Sequence, residues 1–198
     1  MNEPCHLIVF LKNAELGRVK TRLAVEVGDD KALDIYQKLS AYTLNVVSNL
    51  PYDKRIYFSS QIKSEELLPD DSFKHFLQRG KDLGDRMYSA LKSSFVESAQ
   101  KVVIIGSDCP VISESIIAEA FDALNDTDVV IGPAEDGGYY LIGMSQPYKF
   151  LFEDIIWGTE NVFIDTYTKL NDHNIKFRIL ERLYDVDTVD DAKKAGFL

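Results

Sequence analysis

The feature that limits the fold most is a set of short, unbroken apolar runs set apart by helix-length amphipathic segments. Leu7-Ile8-Val9-Phe10-Leu11 and Val102-Val103-Ile104-Ile105 offer no polar side chain to water, and Val129-Val130-Ile131 repeats the pattern in brief. A strand that is apolar on both faces must be covered on both faces, as in a parallel sheet between helix layers. The intervening segments fit that cover. Asp29 or Asp30 can cap a helix carrying Leu33, Leu39, Leu44, Val47 and Leu50 at roughly helical spacing, and it must stop before Pro51. A second helix over 83–97 carries Leu83, Met87, Ala90, Leu91 and Phe95, and Ser113 can open a third that runs to about residue 124. Residues 55–59 and 73–77 read as further strands and 61–72 as a helix and turn. Residues 139–143 read as a strand joined closely to the one before it, and 176–180 as a last strand ahead of an acidic turn over 184–188. The expectation is one α/β domain over residues 1–198, a three-layer α/β/α sandwich with a mixed, mostly parallel sheet.

Composition narrows the function classes. With 198 residues, 45% of them hydrophobic, the chain can bury a core without disulfides or structural metal. Cys5 and Cys109 stand far apart with no CxxC or Cys/His cluster, so both are expected to remain thiols in a reducing, cytoplasmic setting. The N-terminus lacks a signal-peptide layout, and no segment is apolar enough to span a bilayer. A formal net charge of −10 opposes attraction to nucleic acid or an anionic membrane, so neither is expected as a partner. The charge is uneven, however: Lys12, Arg18, Lys20 and Arg22 face only Glu15 within residues 12–22, a place for a small phosphorylated ligand.

That basic segment directly follows the first buried strand, where ligands gather in such sheets. Gly17 permits a tight bend, and Lys12, Lys20, Thr21 and Arg22 supply donors for phosphate oxygens, against the plainer reading of a solvated charged loop. Neither GxxxxGK[ST] nor GxGxxG is present. Gly106-Ser107-Asp108-Cys109-Pro110 places Asp108 after another buried strand, where a carboxylate can hold Mg²⁺ or Mn²⁺ against a diphosphate or else bond turn amides. Cys109 reads as a turn-packing residue rather than a nucleophile. In Glu135-Asp136-Gly137-Gly138, Asp136 can bind hydroxyls or act as a base and the glycines can admit a sugar, although the same residues make an ordinary turn. Asp185-Val186-Asp187-Thr188 can complete the metal site, with Thr188 as a helix cap. Gln78, Asp82 and Arg86 are weaker nucleotide candidates, Asp82 doubling as a helix cap, and Trp157 and Thr159 are weaker acceptor candidates, the tryptophan being equally at home in a core. His6, His75 and His173 show no ligand spacing.

Together, Gly17-x-Val-Lys-Thr-Arg-Leu, Asp82-Leu-Gly-x-Arg86, Gly106-Ser-Asp-Cys-Pro110, Gly132-Pro-Ala-Glu-Asp-Gly-Gly-Tyr-Tyr-Leu-Ile-Gly143, Trp157-Gly-Thr159 and Asp185-Val-Asp-Thr188 resemble a bacterial family. This is the radical-SAM/selenodomain-associated transferase 1 type, once a domain of unknown function, within the glycosyltransferase A-fold nucleotide-diphospho-sugar transferases. The family carries prolines around the positions of Asn13 and Glu15, where this chain has Asn13-Ala14-Glu15, so its loop is expected to be less rigid. The resemblance implies phosphate contacts at Lys20, Thr21 and Arg22 and metal binding at Asp108, which Asp187 can join on the residue reading above. The implied function is a metal-dependent transferase using a nucleotide-diphospho-sugar, with Lys20 and Arg22 easing departure of the nucleoside diphosphate and Asp136 serving a small-molecule acceptor. Lys12, Gly17, Gln78, Asp82, Arg86 and Ser107 complete the nucleotide set, and Gly137, Gly138, Trp157 and Thr159 the sugar and acceptor set. Guanylyltransferases acting on phospholactate or molybdenum cofactor share the fold, which keeps nucleotidyl transfer with pyrophosphate release as the alternative. A nucleotide-binding domain without turnover is a third class, and a homodimer is left open.

Overall fold

The structure, a computed structural model, describes residues 4–62 and 72–198. The helix and turn expected over 61–72 therefore lie almost wholly outside the described residues. The elements follow in the order β1 (Cys5–Leu11), α1 (Thr21–Val27), α2 (Asp29–Ser48), β2 (Asp53–Phe58), β3 (Phe73–Leu77), α3 (Leu83–Val96), β4 (Lys101–Ile105), α4 (Glu114–Ala123), β5 (Val129–Pro133) and β6 (Tyr139–Met144). A 3₁₀ turn (Lys149–Phe152), α5 (Val162–Asp172), β7 (Phe177–Ile179) and α6 (Val189–Lys194) complete the chain.

The described strands form one sheet in the order β3-β2-β1-β4-β6-β5-β7. β1 pairs in parallel with β2 and β4, β2 with β3, and β5 with β7, whereas β6 runs antiparallel to both β4 and β5. Six carboxyl ends therefore leave the same edge of the sheet, and the single reversed strand begins there. This is the mixed, mostly parallel sheet expected from the sequence.

Alternation along each strand sorts the core into two layers. Leu7, Val9 and Leu11 of β1, Ile56 and Phe58 of β2, and Val103 and Ile105 of β4 pack with Leu44 and Val47 of α2 and Ile117 and Phe121 of α4. On the opposite face Ile8, Tyr57, Val102 and Ile104 join Met87, Ala90 and Leu91 of α3, Leu151 and Phe152 of the 3₁₀ turn, and Leu170 of α5. Leu33 and Phe95 prove only half-buried, and Leu83, expected on the core face of α3, is exposed. Leu83 is the first residue of α3, where the helix has left the sheet and reaches its carboxyl edge.

A smaller third core sits beyond the sheet. Leu23 of α1, Ile35 and Leu39 of α2, Ala192 of α6 and Val186 from the segment before α6 pack together and are all fully buried. It accounts for α1, which no sequence pattern announces: Thr21–Val27 is too short to be stable alone, and Leu23 anchors it. Gly28, with φ of 83°, breaks α1 from α2 in a conformation that favours glycine. The helix α5 was also missed, although Val162, Thr166 and Leu170 are buried at spacings of four. No disulfide joins Cys5 and Cys109, and burial pushes the Cys109 thiol up to about 12, far from thiolate chemistry. None of the described helices is long and apolar enough to cross a membrane.

Because the third core holds α1 against the C-terminal segment, Leu23→Ala is expected to cost about 2–5 kcal/mol of unfolding free energy. Urea denaturation checks this, and a loss below 1 kcal/mol would mean that the cluster collapses around the gap.

Candidate functional site

Each functional segment begins where a strand ends. Lys12 follows β1, Ser59 follows β2, Gln78 follows β3, Asp108 follows β4, and Asp136 lies in the connection from β5 to β6. Residue Leu183 forms a parallel bridge with Ala134, which continues the β5 and β7 pairing and carries Asp185 and Asp187 to the same edge.

The first loop is tied down before it turns. Asn13 is buried, its Oδ1 accepting from Ser60 N at 2.9 Å and Ser60 Oγ at 2.8 Å while its Nδ2 donates to the Gln61 carbonyl at 2.8 Å. The position where the resembled family carries proline is thus fixed by hydrogen bonds rather than by a ring. Tyr36 of α2 donates its hydroxyl to the Lys12 carbonyl at 2.7 Å. Gly17 turns the loop with φ of 73°, and Lys20, with φ of 48°, enters α1 from the left-handed region.

Lys20 is the centre of the site. Its side chain is 3% exposed, and its Nζ lies 2.9 Å from Asp108 Oδ1 and 3.2 Å from Asp187 Oδ1. Burial alone would depress its pKa, but the two carboxylates outweigh that and leave it above the ordinary lysine value. The lysine's own contribution to stability is therefore fully present below pH 10.5, the ordinary value, and is lost as pH rises through the elevated one. Asp108 Oδ1 is buried and takes no aligned hydrogen bond, so the ammonium meets it as an ion pair, short in distance and poor in direction. Arg22 stands outside, mostly exposed, 4.0 Å from Asp187 Oδ2, where solvent screening leaves it a weak partner.

The acidic segment is held from behind. Val186 is fully buried in the third core, and its backbone N donates to the Asp108 carbonyl at 3.0 Å. Asp185 and Asp187 flank it. Asp191 Oδ2 accepts from the backbone N of Asp187 at 3.1 Å and of Thr188 at 2.8 Å, and Thr188 caps α6 as its sequence suggested. Burial, then the charge of Asp108, push Asp185 up to about 7.

Two cavities open along this edge. The smaller, about 360 Å³, is lined by Lys12, Lys20, Thr21, Arg22, Tyr36, Leu83, Asp108, Asp136, Gly158, Asp185 and Asp187. The larger, about 480 Å³, has Phe10, Arg18, Ser59, Gln78, Arg86 and Ser107 in its wall. Lys12, Tyr36, Leu83, Asp108 and Asp185 line both, so the two are halves of one cleft. Asp108, Asp136 and Asp187 do converge. Among the described residues no group of three or more His, Cys, Asp or Glu side chains forms a metal cage. Two carboxylates completed by phosphate oxygens and water are nevertheless a donor set that suits Mg²⁺ or Mn²⁺.

Several expected site residues have structural work instead. Gly137 has φ of 88°, and a Cβ there would stand 2.1 Å from the Glu160 carbonyl oxygen, so it serves close packing of the chain rather than approach of a sugar. The Gly138 N donates to Asp136 Oδ1 at 2.9 Å, orienting that carboxylate. Trp157 packs between Gly84, Phe152 and Tyr139, and Thr159 Oγ1 donates to the Ile156 carbonyl; neither lines the cleft, although Gly158 between them does. Asp82 caps α3 by accepting from Asp85 N at 2.8 Å, the reading that stood beside the nucleotide one. Gln78 Nε2 donates to the carbonyls of Leu11 and Tyr57, stitching strand ends while it lines the larger half. Leu83 and Gly158 line the cleft inside two motifs that the sequence had singled out, whereas Tyr36 was missed. Its signal was a polar-tipped aromatic on the core side of a helix, whose hydroxyl must find a partner.

Comparison with known proteins follows the same outline. A family profile described as an uncharacterized protein conserved in bacteria (DUF2064) matches residues 43–159. No curated protein matches. A crystal structure from Desulfovibrio desulfuricans G20, provisionally described as a nucleotide-diphospho-sugar transferase, is 33% identical over 94% of this chain and 84% of its own, with a TM-score of 0.88. An inositol-1-phosphate CTP transferase from T. maritima is 14% identical over 99% and 95% of the two chains, with a TM-score of 0.62. Rv0371c of Mycobacterium tuberculosis H37Rv, in complex with manganese, is 14% identical over 98% of each chain, with a TM-score of 0.57. At that identity the last two share the fold with this chain and nothing finer.

Tyr36→Phe removes the donor from the Lys12 carbonyl without changing the ring. It is expected to lower stability by about 1–3 kcal/mol in urea denaturation. Unchanged stability would show that water serves that carbonyl already.

Proposed function

The chain belongs to the bacterial DUF2064 family, and from that premise we propose that it is a cytoplasmic, metal-dependent transferase whose donor is a nucleotide-diphospho-sugar. The radical-SAM/selenodomain-associated type that its motifs resemble is part of the same proposal. The observation that carries it is the junction of the cleft. Cationic Lys12, Lys20 and Arg22 meet the carboxylates of Asp108 and Asp187 where a cavity fit for a nucleoside opens into one fit for a small acceptor.

The parts divide the donor. The base and ribose would lie in the larger half against Phe10, Ser59, Ser107, Gln78 and Arg86, and the diphosphate at the junction. Lys12, Lys20 and Arg22 offset its charge, Thr21 offers a hydroxyl to it, and Asp108 with Asp187 would hold Mg²⁺ or Mn²⁺ on it. When bound, that ion would neutralise charge developing on the departing diphosphate. In the smaller half Asp136, oriented by Gly138 N, stands ready to take the acceptor proton. The acceptor oxygen would form its bond to the anomeric carbon as the bond from that carbon to the β-phosphate oxygen breaks. Nucleoside diphosphate then leaves beside Lys20 and Arg22.

One observation favours a second reading. Arg18 and Arg86 also line the larger half, which gives more cationic surface than a diphosphate needs. A nucleoside triphosphate would use it, with the acceptor attacking the α-phosphorus and pyrophosphate leaving.

Product analysis separates the two, because free nucleoside diphosphate identifies the first and pyrophosphate the second; absence of both with tight nucleotide binding would leave a sensor. Asp136→Asn is expected to lower kcat by about 10²–10⁴ with little change in donor KM. Asp108→Asn, with Asp187 still paired to Lys20, is expected to keep the fold at reduced stability and to lose the Mn²⁺ dependence of nucleotide binding in calorimetry. Retained Mn²⁺ dependence would make Asp108 a turn residue and remove it from the metal site.

A further inference from the structure

The two carboxylates assigned to the metal already hold a cation. Lys20 Nζ lies 2.9 Å from Asp108 and 3.2 Å from Asp187, its side chain nearly sealed from solvent. A buried ammonium is costly to desolvate and stays where paired charge and surrounding packing hold it. Both conditions are met. The carboxylates of Asp108 and Asp187 both reach its ammonium, and the neighbouring Val19 and Leu23 are buried on either side of its stretch of chain. The left-handed backbone at Lys20 persists only because its surroundings over-determine it.

We infer that Lys20 is the resident counter-cation of the Asp108 and Asp187 pair, so that the free protein excludes divalent ions and gains them only together with a phosphate group that draws the ammonium away. The inference rests on the proposed use of Asp108 and Asp187 as the metal pair. An approaching ion meets carboxylate oxygens that already face a positive charge at contact distance, and no third carboxylate, histidine or cysteine among the described residues completes a cage. A diphosphate changes both terms. It gives the ammonium a new anionic partner at the same junction, and it brings oxygens to complete the coordination that two aspartates leave short. Phosphate and ion would then bind with positive coupling, although neither touches a distant site.

Titration of the free protein with Mn²⁺ alone, followed by electron paramagnetic resonance, tests this. Lys20→Met keeps the side chain's length and apolar stem and deletes its charge. It is expected to bind Mn²⁺ at least about tenfold more tightly than the wild type, in keeping with loss of a unit charge at contact distance. Lys20→Arg should exclude the ion as the wild type does, and Asp187→Asn added to Lys20→Met should abolish the gain. Equal Mn²⁺ binding by wild type and Lys20→Met, including binding by neither, overturns the inference. Should circular dichroism show that Lys20→Met does not fold, the wild type and Lys20→Arg decide alone. Weak, millimolar Mn²⁺ binding by both supports the inference, and micromolar binding by the wild type without nucleotide overturns it. No nucleotide enters this titration, so the cation exchange and the transferase reading can fail separately.

Discussion

The contact between the Lys20 ammonium and the carboxylates of Asp108 and Asp187 closes the structure as much as it builds the site. It joins the loop after the first strand, the turn after a central strand and the segment before the last helix, which lie 88 and 167 residues from Lys20 in sequence. None of these segments has a deep core of its own. The charge contact would be poor support for stability alone, since desolvating three ions offsets most of the attraction. Its value is positional. Val186, buried between Asp185 and Asp187 and bonded to the Asp108 carbonyl, sets the acidic segment, while Leu23 sets the basic one in the same small cluster. Apolar packing holds the backbone, and the ion pair fixes which way the charged groups face.

Sheet topology explains why the groups meet at all. Six strands parallel to one another send their carboxyl ends to a single edge, so residues spread along the chain from Lys12 to Asp187 become neighbours without any long loop reaching across. The reversed β6 matters here. It inserts between β4 and β5, which separates the Asp108 turn from the Asp136 turn by one strand width and leaves room for a cleft between them.

The mixed, mostly parallel sheet, though not its strand order, was legible in the sequence because it rests on apolar runs that need cover on both faces. A run such as Val102-Val103-Ile104-Ile105 has no alternative to a covered strand, and Asp108 after it has no alternative to the strand edge. What escaped was governed by tertiary contact. The helix α1 carries a pattern too short to recognise, and only Leu23, meeting Ile35, Leu39 and Val186, makes it persist. Gly137 and Trp157 show the reverse error. Both have the residue type that ligand contact would use, and both serve the packing of the chain against itself, Gly137 against Glu160 and Trp157 against Gly84. Residue type at a sheet edge reports proximity to a site, and only geometry separates a wall from its support.

The same distinction bears on charge. A net charge of −10 opposes polymeric polyanions, and the cleft keeps its cations within that acidic background by pairing the most buried of them with its own acids. Paired, Lys20 adds little to the field that an approaching anion feels. Lys12, Thr21 and Arg22, all exposed on the cleft wall, are the groups a ligand meets first, with Arg22 free to leave a contact of 4.0 Å at small cost. Capture and neutralisation thus fall to different residues. Exposed cations draw the phosphate in over a distance that salt can screen, whereas the buried one engages only after the phosphate has arrived and its carboxylates have another cation to hold. On the proposed reading, a cleft arranged in this order favours a ligand that brings anion and metal together over either one alone.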